Sequence, residues 1–101
     1  MKAKVEISEQ VVRFVARQAP EPRQVLRAAL RQLENERGNI KPLEGELRRY
    51  YRLRVRGFRI IFAYAAASKT RRVIRCIFAE RRNVVYEIFE EILKKHLLAG
   101  E

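Results

Sequence analysis

The sequence has 101 residues, enough for one small domain and too few for two. Its hydrophobic fraction of 48% allows a core to form, and no stretch approaches the roughly 18 to 20 consecutive apolar residues of a membrane-spanning helix. The formal net charge of +11 favours a nucleic acid, an acidic protein or an anionic surface as the partner and indicates nothing about the fold. We expect a single domain over residues 1–101 with no membrane segment.

Two features of the sequence predict a cytoplasmic protein. The first residues, MKAKVEIS, lack the apolar h-region of a signal peptide. Cys76 is the single cysteine, so the chain cannot form an internal disulfide. Cys76 also has neither a CxxC partner nor a nearby histidine, and we expect it to be a buried strand residue rather than a nucleophile or a metal ligand.

The first third of the chain predicts a strand followed by two helices. Residues 2–7 alternate between apolar and charged side chains, as in a strand that buries one face. Ser8 is a typical N-cap, and apolar residues recur at helical spacing over residues 11–16. An AlaProGluPro stretch then breaks the chain, and a second helix follows over about residues 22–37. We expect these helices to form a hairpin packed on one face of a sheet.

The remainder of the chain predicts three strands and a final helix. Residues 39–49 contain proline and glycine and are interpreted as a connector. Alternation and apolar runs predict strands at Tyr50–Val55, Phe58–Tyr64 and Val73–Ala79, and Asn83 can cap a last helix that ends at Gly100. The fold class is α+β, in the order β-α-α-β-β-β-α, with an antiparallel sheet, an N-terminal helical hairpin and a C-terminal helix.

Basic residues are concentrated in two of the predicted strands and their flanks. Residues 48–59 read RRYYRLRVRGFR, with six arginines and no acidic residue. Together with residues 71–82 they hold eleven of the 23 basic residues and one of the twelve acidic residues, Glu80. Arg52 and Arg54 alternate with apolar side chains, so one face of this strand is guanidinium. Planar guanidinium groups donate paired hydrogen bonds to phosphate, which makes this face typical of a phosphate-binding surface.

The turn after this strand predicts a third arginine on the same face. If Arg56 and Gly57 form a two-residue hairpin turn, Arg54 pairs with Arg59. Like charges directly opposite each other destabilise a sheet, and an anion between the two guanidinium groups would offset their repulsion. The alternative interpretations are a solvated basic surface and a contact for an acidic protein.

Two long stretches in the second half of the chain carry a set of motifs. They are LEGELRRYYRLRVRGFRIIFAY at residues 43–64 and VIRCIFAERRNVVYEIFEEIL at residues 73–93. The motifs are Leu–x–Gly before the strand, Tyr–basic–Leu–basic–Val within it, Gly–aromatic–Arg–Ile–Ile–aromatic after it, and an arginine-containing turn before Val–Tyr–Glu. In these motifs and in its element order, the sequence resembles the RelE/ParE superfamily of bacterial toxins from toxin–antitoxin systems.

The resemblance implies a toxin that a cognate acidic antitoxin holds silent. RelE-like members cut mRNA at the ribosomal A site, without a metal ion or other cofactor, by attack of the ribose 2′-OH on the adjacent phosphate. By motif, the residues that correspond to the catalytic set are Arg52, Arg54, Arg59, Arg81 and Tyr86, with Arg82 as the alternative to Arg81. The flanking residues expected to bind the nucleic acid are Arg48, Arg49, Arg56 and Arg82.

Such a reaction needs charge stabilisation, a proton acceptor and a proton donor. The general base of RelE-like toxins is usually a lysine, and the corresponding positions here hold arginine, which stays protonated. Two other functions are open from the sequence: a ParE-like inhibitor of DNA gyrase, and an RNA-binding homologue without activity. All of them imply an antitoxin, docked around the helical hairpin and the sheet edge, in an assembly such as a toxin–antitoxin heterotetramer.

Overall fold

Residues 2–65, 71–81 and 95 are described by the computed structural model. In chain order they form β1 (Lys4–Ile7), α1 (Glu9–Ala16), α2 (Pro20–Leu33), β2 (Asn39–Pro42), a 3-10 turn (Gly45–Leu47), β3 (Tyr50–Val55), β4 (Phe58–Ala65) and β5 (Val73–Arg81). The predicted C-terminal helix, with Arg82 and Tyr86, lies outside the described residues. Within the described ranges, no helix is both long and apolar enough to cross a membrane.

The five strands form one mixed sheet in the order β1-β5-β4-β3-β2. β1 runs parallel to β5, with Val5 opposite Ile74, while the other neighbours are antiparallel. The prediction of an antiparallel sheet is therefore wrong for β1, because it rested on the short links between the later strands. The helical hairpin returns the chain to the end of the sheet where β1 finishes, and three strand reversals between β2 and β5 then make β5 parallel to β1.

An edge strand occupies part of the segment that was predicted as a connector. β2 pairs antiparallel with β3, from Asn39 opposite Arg54 to Pro42 opposite Tyr51. The alternation over these four residues is short, and the proline and glycine of residues 39–49 favoured a connector instead. The edge position also explains Pro42, since proline cannot donate a hydrogen bond to a further strand.

The helices begin close to the predicted positions, but α2 ends earlier. Ser8 caps α1 as predicted, with its Oγ accepting a hydrogen bond from the Val11 N–H at 3.3 Å. Two prolines lie in the first turn of α2, where their missing N–H groups need no partner. The prediction that α2 reaches Arg37 is wrong. The helix ends at Leu33, and Glu36 has a φ of 54°, which a right-handed helix cannot contain.

The main core lies between the helical hairpin and one face of the sheet. Leu26 and Leu33 of α2 and Phe62 of β4 are fully buried in it. Tyr51 stacks on Phe62 with a centroid distance of 5.5 Å, which confirms that Tyr51 is a packing residue. Leu53 is buried on the same side, so the apolar face of β3 points to the helices and its arginines point away. This packing decides which face of the sheet is basic.

Cys76 in β5 is part of this core. It is 1% exposed, and burial raises the pKa of its thiol to about 12. A thiol with such a pKa stays neutral near pH 7 and is a poor nucleophile. The prediction of a buried strand residue is confirmed.

Tyr64 in β4 ties the sheet to the segment after α2. Its hydroxyl donates to Glu36 Oε1 at 2.8 Å, and Arg72 Nη1 lies 3.0 Å from the same oxygen. The Arg72 guanidinium also lies 4.1 Å from the centroid of the Tyr64 ring. Burial and the hydrogen bond to Glu36 raise the pKa of Tyr64 to about 12. The protonated form of Tyr64 is therefore the one that the fold stabilises.

We expect the Tyr64→Phe variant to lose about 1 kcal/mol of unfolding free energy at neutral pH, the usual contribution of one hydrogen bond. An unfolded tyrosine ionises at about pH 10, so the contribution of Tyr64 is complete below that pH and is lost as the pH rises towards about 12. Urea unfolding across this range should show a steeper loss of stability in the wild type than in Tyr64→Phe. Parallel profiles for the two proteins would contradict the assignment.

Candidate functional site

The hairpin between β3 and β4 turns at Arg56 and Gly57, as predicted. The register pairs Arg54 with Arg59, which confirms the prediction from the sequence. Arg56 has a φ of 51°, the left-handed conformation that favoured two-residue hairpin turns require. Arg54 and Arg59 therefore lie side by side on the face of the sheet that points away from the helices.

Two rows of cross-strand neighbours define this face. From β2 to β5, the first row consists of Asn39, Arg54, Arg59 and Glu80. The second row consists of Lys41, Arg52, Ile61 and Phe78. Directly opposite residues project from the same side of a sheet, so four cations are neighbours here. We call Lys41, Arg52, Arg54 and Arg59 the cationic face.

Lys41 belongs to the cationic face although it is not among the site residues predicted from the sequence. It is exposed on the edge strand, directly opposite Arg52. The signal in the sequence is the local alternation in which Ile40 points to the core and Lys41 away from it. The connector interpretation of residues 39–49 concealed this signal.

The arginines of the cationic face are partly held inside the protein. Arg52, Arg54 and Arg59 are half-buried, and the Nε atom of each is buried. Among the described residues, no acceptor meets the Nε of Arg52. A buried donor without an acceptor costs about 1–3 kcal/mol, a cost that an anionic oxygen would remove. Arg52 is therefore a strong candidate for direct contact with an anion.

A small apolar cluster lies beside the cationic face, on the same side of the sheet. Leu43, Leu47, Tyr50 and Ile61 are buried together, and Ile61 lies directly opposite Arg52. Apolar surroundings lower the local dielectric constant and strengthen the attraction between a guanidinium group and a phosphate. Tyr50 is only 8% exposed, so it packs in the cluster and does not offer its ring to a base.

Arg81 is not brought to the cationic face. It pairs with Phe58, and its guanidinium lies 5.6 Å from the centroid of that ring, on the helix side of the sheet. The cause is a register shift between β4 and β5, where Ile61 pairs with Phe78 and the next residue of β4 pairs with Cys76. This bulge reverses the alternation of β5, so Glu80 takes the face that unbroken alternation would give to Arg81.

The flanking arginines lie around the rim. Arg56 forms an ion pair with Glu21 of α2 at 3.0 Å, so it leans towards the helices. Arg48 and Arg49 are exposed just before β3. Arg82 lies outside the described residues, as does Tyr86. The structure thus brings together Arg52, Arg54 and Arg59 from the predicted catalytic set.

Known proteins match this chain in structure and not in sequence. No family model and no curated protein matches it. The RelBE2 toxin–antitoxin complex from Mycobacterium tuberculosis superposes with a TM-score of 0.66 and 16% identity, over 81% of this chain and 100% of that chain. The archaeal RelE–RelB complex from Pyrococcus horikoshii OT3 superposes with a TM-score of 0.62 and 22% identity, over 84% of this chain and 100% of that chain. A mutant of E. coli toxin RelE in the free state superposes with a TM-score of 0.65 and 13% identity, over 94% of this chain and 98% of that chain.

The chain has the RelE toxin fold. Identities of 13% to 22% show a shared fold and do not by themselves transfer an activity. In this RelE fold, the cationic face occupies the sheet surface opposite the two helices, so what it can do chemically depends on the residues of this chain.

Glu80 lies where the cationic face of this RelE fold meets a groove. It is directly opposite Arg59, and its Oε1 accepts a hydrogen bond from the Arg81 N–H at 3.0 Å. The groove has a volume of about 500 Å³ and is lined by Glu9, Gln10, Arg13, Phe14, Arg17, Gln18 and Glu80. The Gln10 amide bonds both backbone groups of Ala79 at 2.8 Å, which holds α1 against β5. Glu80 is the one carboxylate in the two rows that form the face.

Proposed function

We propose that this protein is the toxin of a toxin–antitoxin pair and an endoribonuclease that cuts mRNA on the ribosome and so inhibits translation. The observation that supports this proposal is the cationic face, with Arg52, Arg54 and Arg59 half-buried side by side on a RelE fold. A protein that inhibits DNA gyrase only by binding it needs no such array. The ribonuclease is therefore favoured over the ParE-like alternative.

The proposed reaction needs no metal ion. The ribose 2′-OH attacks the adjacent phosphorus, the P–O5′ bond breaks, and the products are a 2′,3′-cyclic phosphate and a 5′-OH end. Negative charge rises on the non-bridging oxygens in the transition state, and guanidinium groups placed there stabilise it. Arg52 and Arg54 are assigned to these oxygens, and Arg59 to the oxygen of the leaving group.

We assign the proton-acceptor role to Glu80. The arginines cannot accept a proton because a guanidinium group stays protonated in proteins. Glu80 lies next to Arg59 in the register, at the border of the groove, which would let an RNA strand reach both residues. Its carboxylate takes the proton of the 2′-OH, and the leaving 5′ oxygen takes a proton from water. Glu80 then returns its proton to the hydroxide ion that this leaves.

The proposed partners are an antitoxin, mRNA and the ribosome, all in the cytoplasm. Two of the matching structures are toxin–antitoxin complexes. A net charge of +11 suits an acidic antitoxin. The groove beside α1 lies at the helical hairpin and the sheet edge, where the antitoxin is predicted to dock. A heterotetramer of two toxins and two antitoxins is the proposed assembly.

The test is cleavage of a defined mRNA by the purified protein, with and without ribosomes. We expect cuts only in ribosome-bound mRNA, with 5′-OH ends at the new termini. Intact mRNA together with unimpaired protein synthesis would overturn the proposal. In that event, inhibition of DNA supercoiling would support the gyrase alternative, and salt-sensitive RNA binding without cleavage would support an inactive homologue.

A further inference from the structure

A second basic surface lies on the helix side of the molecule. Arg23, Arg27 and Arg31 recur every fourth residue along α2. Successive members are about 6 Å apart along the helix axis and are rotated by only about 40°, so they form one row. We call these three residues the α2 stripe.

Among the described residues, no neighbouring carboxylate compensates the charge of the α2 stripe. In the part of the chain that the structure describes, no ion pair or side-chain hydrogen bond involves Arg23, Arg27 or Arg31. The acidic residues near the two ends of α2 are held by other cations. Glu21 pairs with Arg56 at 3.0 Å, and Glu34 lies 4.0 Å from the Lys2 amine.

We propose that the α2 stripe binds the phosphate backbone of folded, double-helical RNA. Protein interfaces are usually anchored by buried apolar or aromatic residues. The exposed large hydrophobic residues of the described chain are Ile7 and Val12, which flank the start of α1 and are not on α2. Backbone contacts to RNA need cations in a row and no apolar anchor, which is what α2 presents.

The two basic surfaces lie on opposite sides of the molecule. α2 packs on the apolar face of the sheet, and the cationic face is the other one. An RNA strand held at Arg52 for cleavage does not contact Arg27 at the same point. A partner that contacts both surfaces must surround the protein on two sides, as the walls of a cleft in a large folded RNA do. The α2 stripe would thus bind RNA that is not cut, a role beyond the proposed cleavage.

The experiment measures binding to a blunt RNA duplex of about 16 base pairs, a length that double-stranded RNA-binding domains span. The stripe variant is Arg27→Gln/Arg31→Gln, which removes two exposed charges that pair with no carboxylate of the described residues. The matched control is Lys4→Gln/Arg75→Gln, which removes two exposed charges that are both paired with Glu6. Affinity is measured over a range of salt concentrations.

We expect the magnitude of the negative slope of log K against log salt to decrease by about 2 in the stripe variant, since each phosphate contact contributes about 0.9. The control should keep the wild-type slope, and Arg27→Lys/Arg31→Lys should keep it too because the charges remain. Equal slopes in the stripe variant and the control would overturn the proposal. So would a stripe variant that binds the duplex normally but loses affinity for a poly-glutamate peptide, which would assign the surface to an acidic protein.

Cleavage of ribosome-bound mRNA by the wild type is scored separately. If the wild type cuts mRNA and the stripe variant keeps its affinity for the duplex, the proposed function is supported. The proposal that the α2 stripe binds RNA is then wrong. A stripe variant with a reduced slope supports the α2 stripe whether or not the wild type cuts. Thermal unfolding of each variant establishes that the compared proteins are folded.

Discussion

The Arg52→Ala variant should cut ribosome-bound mRNA at least about 100-fold more slowly than the wild type, the usual cost of removing one donor from a transition-state oxyanion. We expect the largest effect at Arg52 because its Nε is buried without an acceptor among the described residues. An RNA phosphate would supply that acceptor and gain a charge-assisted hydrogen bond. Single-turnover cleavage on programmed ribosomes measures the effect on chemistry apart from product release.

Stability should change in the opposite direction to activity. Arg52→Ala removes a buried donor that has no acceptor among the described residues, and it removes one charge from a crowded face. The variant should therefore unfold at the same or a higher temperature than the wild type. Lys2→Ala is the control for lost charge, since Lys2 is exposed and distant from the cationic face, and it should keep cleavage within about twofold of the wild type. An Arg52→Ala protein that cuts within about threefold of the wild-type rate would remove Arg52 from the site.

The pairing of Arg54 with Arg59 favours the same interpretation of the face. Like charges directly opposite each other in a sheet are unfavourable, by roughly 0.2–1 kcal/mol for such a pair. The repulsion is greater when the groups are half-buried, as these are, because water screens them less. An anion bound between them would offset this repulsion, as the phosphate of RNA does in the proposed function.

Local features of the sequence predicted the part of the fold that forms the cationic face. The alternation in residues 50–55 and the Arg56–Gly57 turn act over a few residues, and together they determine the register of β3 with β4. The N-cap Ser8 was predictable for the same reason, because the residues that signal it are neighbours in the chain. Three of the four cations of the face followed from these local signals.

Features that depend on distant residues were not predictable from the sequence. The parallel pairing of Val5 with Ile74 joins segments 69 residues apart, as do the hydrogen bonds of Ser8 and Gln10 to β5. The face taken by Arg81 depends on the bulge in β5, which no turn residue signals in VIRCIFAER. A family motif places Arg81 in the catalytic set, whereas the bulge gives its position on the cationic face to Glu80.

Because Glu80 takes the place of Arg81 on the cationic face, its assigned role as the proton acceptor can be tested directly. The Glu80→Gln variant should cut ribosome-bound mRNA at least about 100-fold more slowly, the lower range for loss of a general base. Glutamine keeps the size of the side chain and its acceptor oxygen for the Arg81 N–H, so the end of β5 should be preserved. Binding to programmed ribosomes should be equal or tighter, because a negative charge is removed from a surface that contacts phosphate.

An alternative role for Glu80 predicts the opposite rate. If the carboxylate only balances the charge of Arg59, its neighbour in the register, then Glu80→Gln frees a cation for the phosphate and cleavage should be unchanged or faster. Glu80→Asp separates the two roles further, since a shortened carboxylate keeps the charge but moves the acceptor and should cut slowly only if Glu80 transfers the proton. If Glu80→Gln cuts at the wild-type rate while Arg52→Ala cuts much more slowly, the protein is still a ribonuclease. Its proton acceptor is then a group other than Glu80.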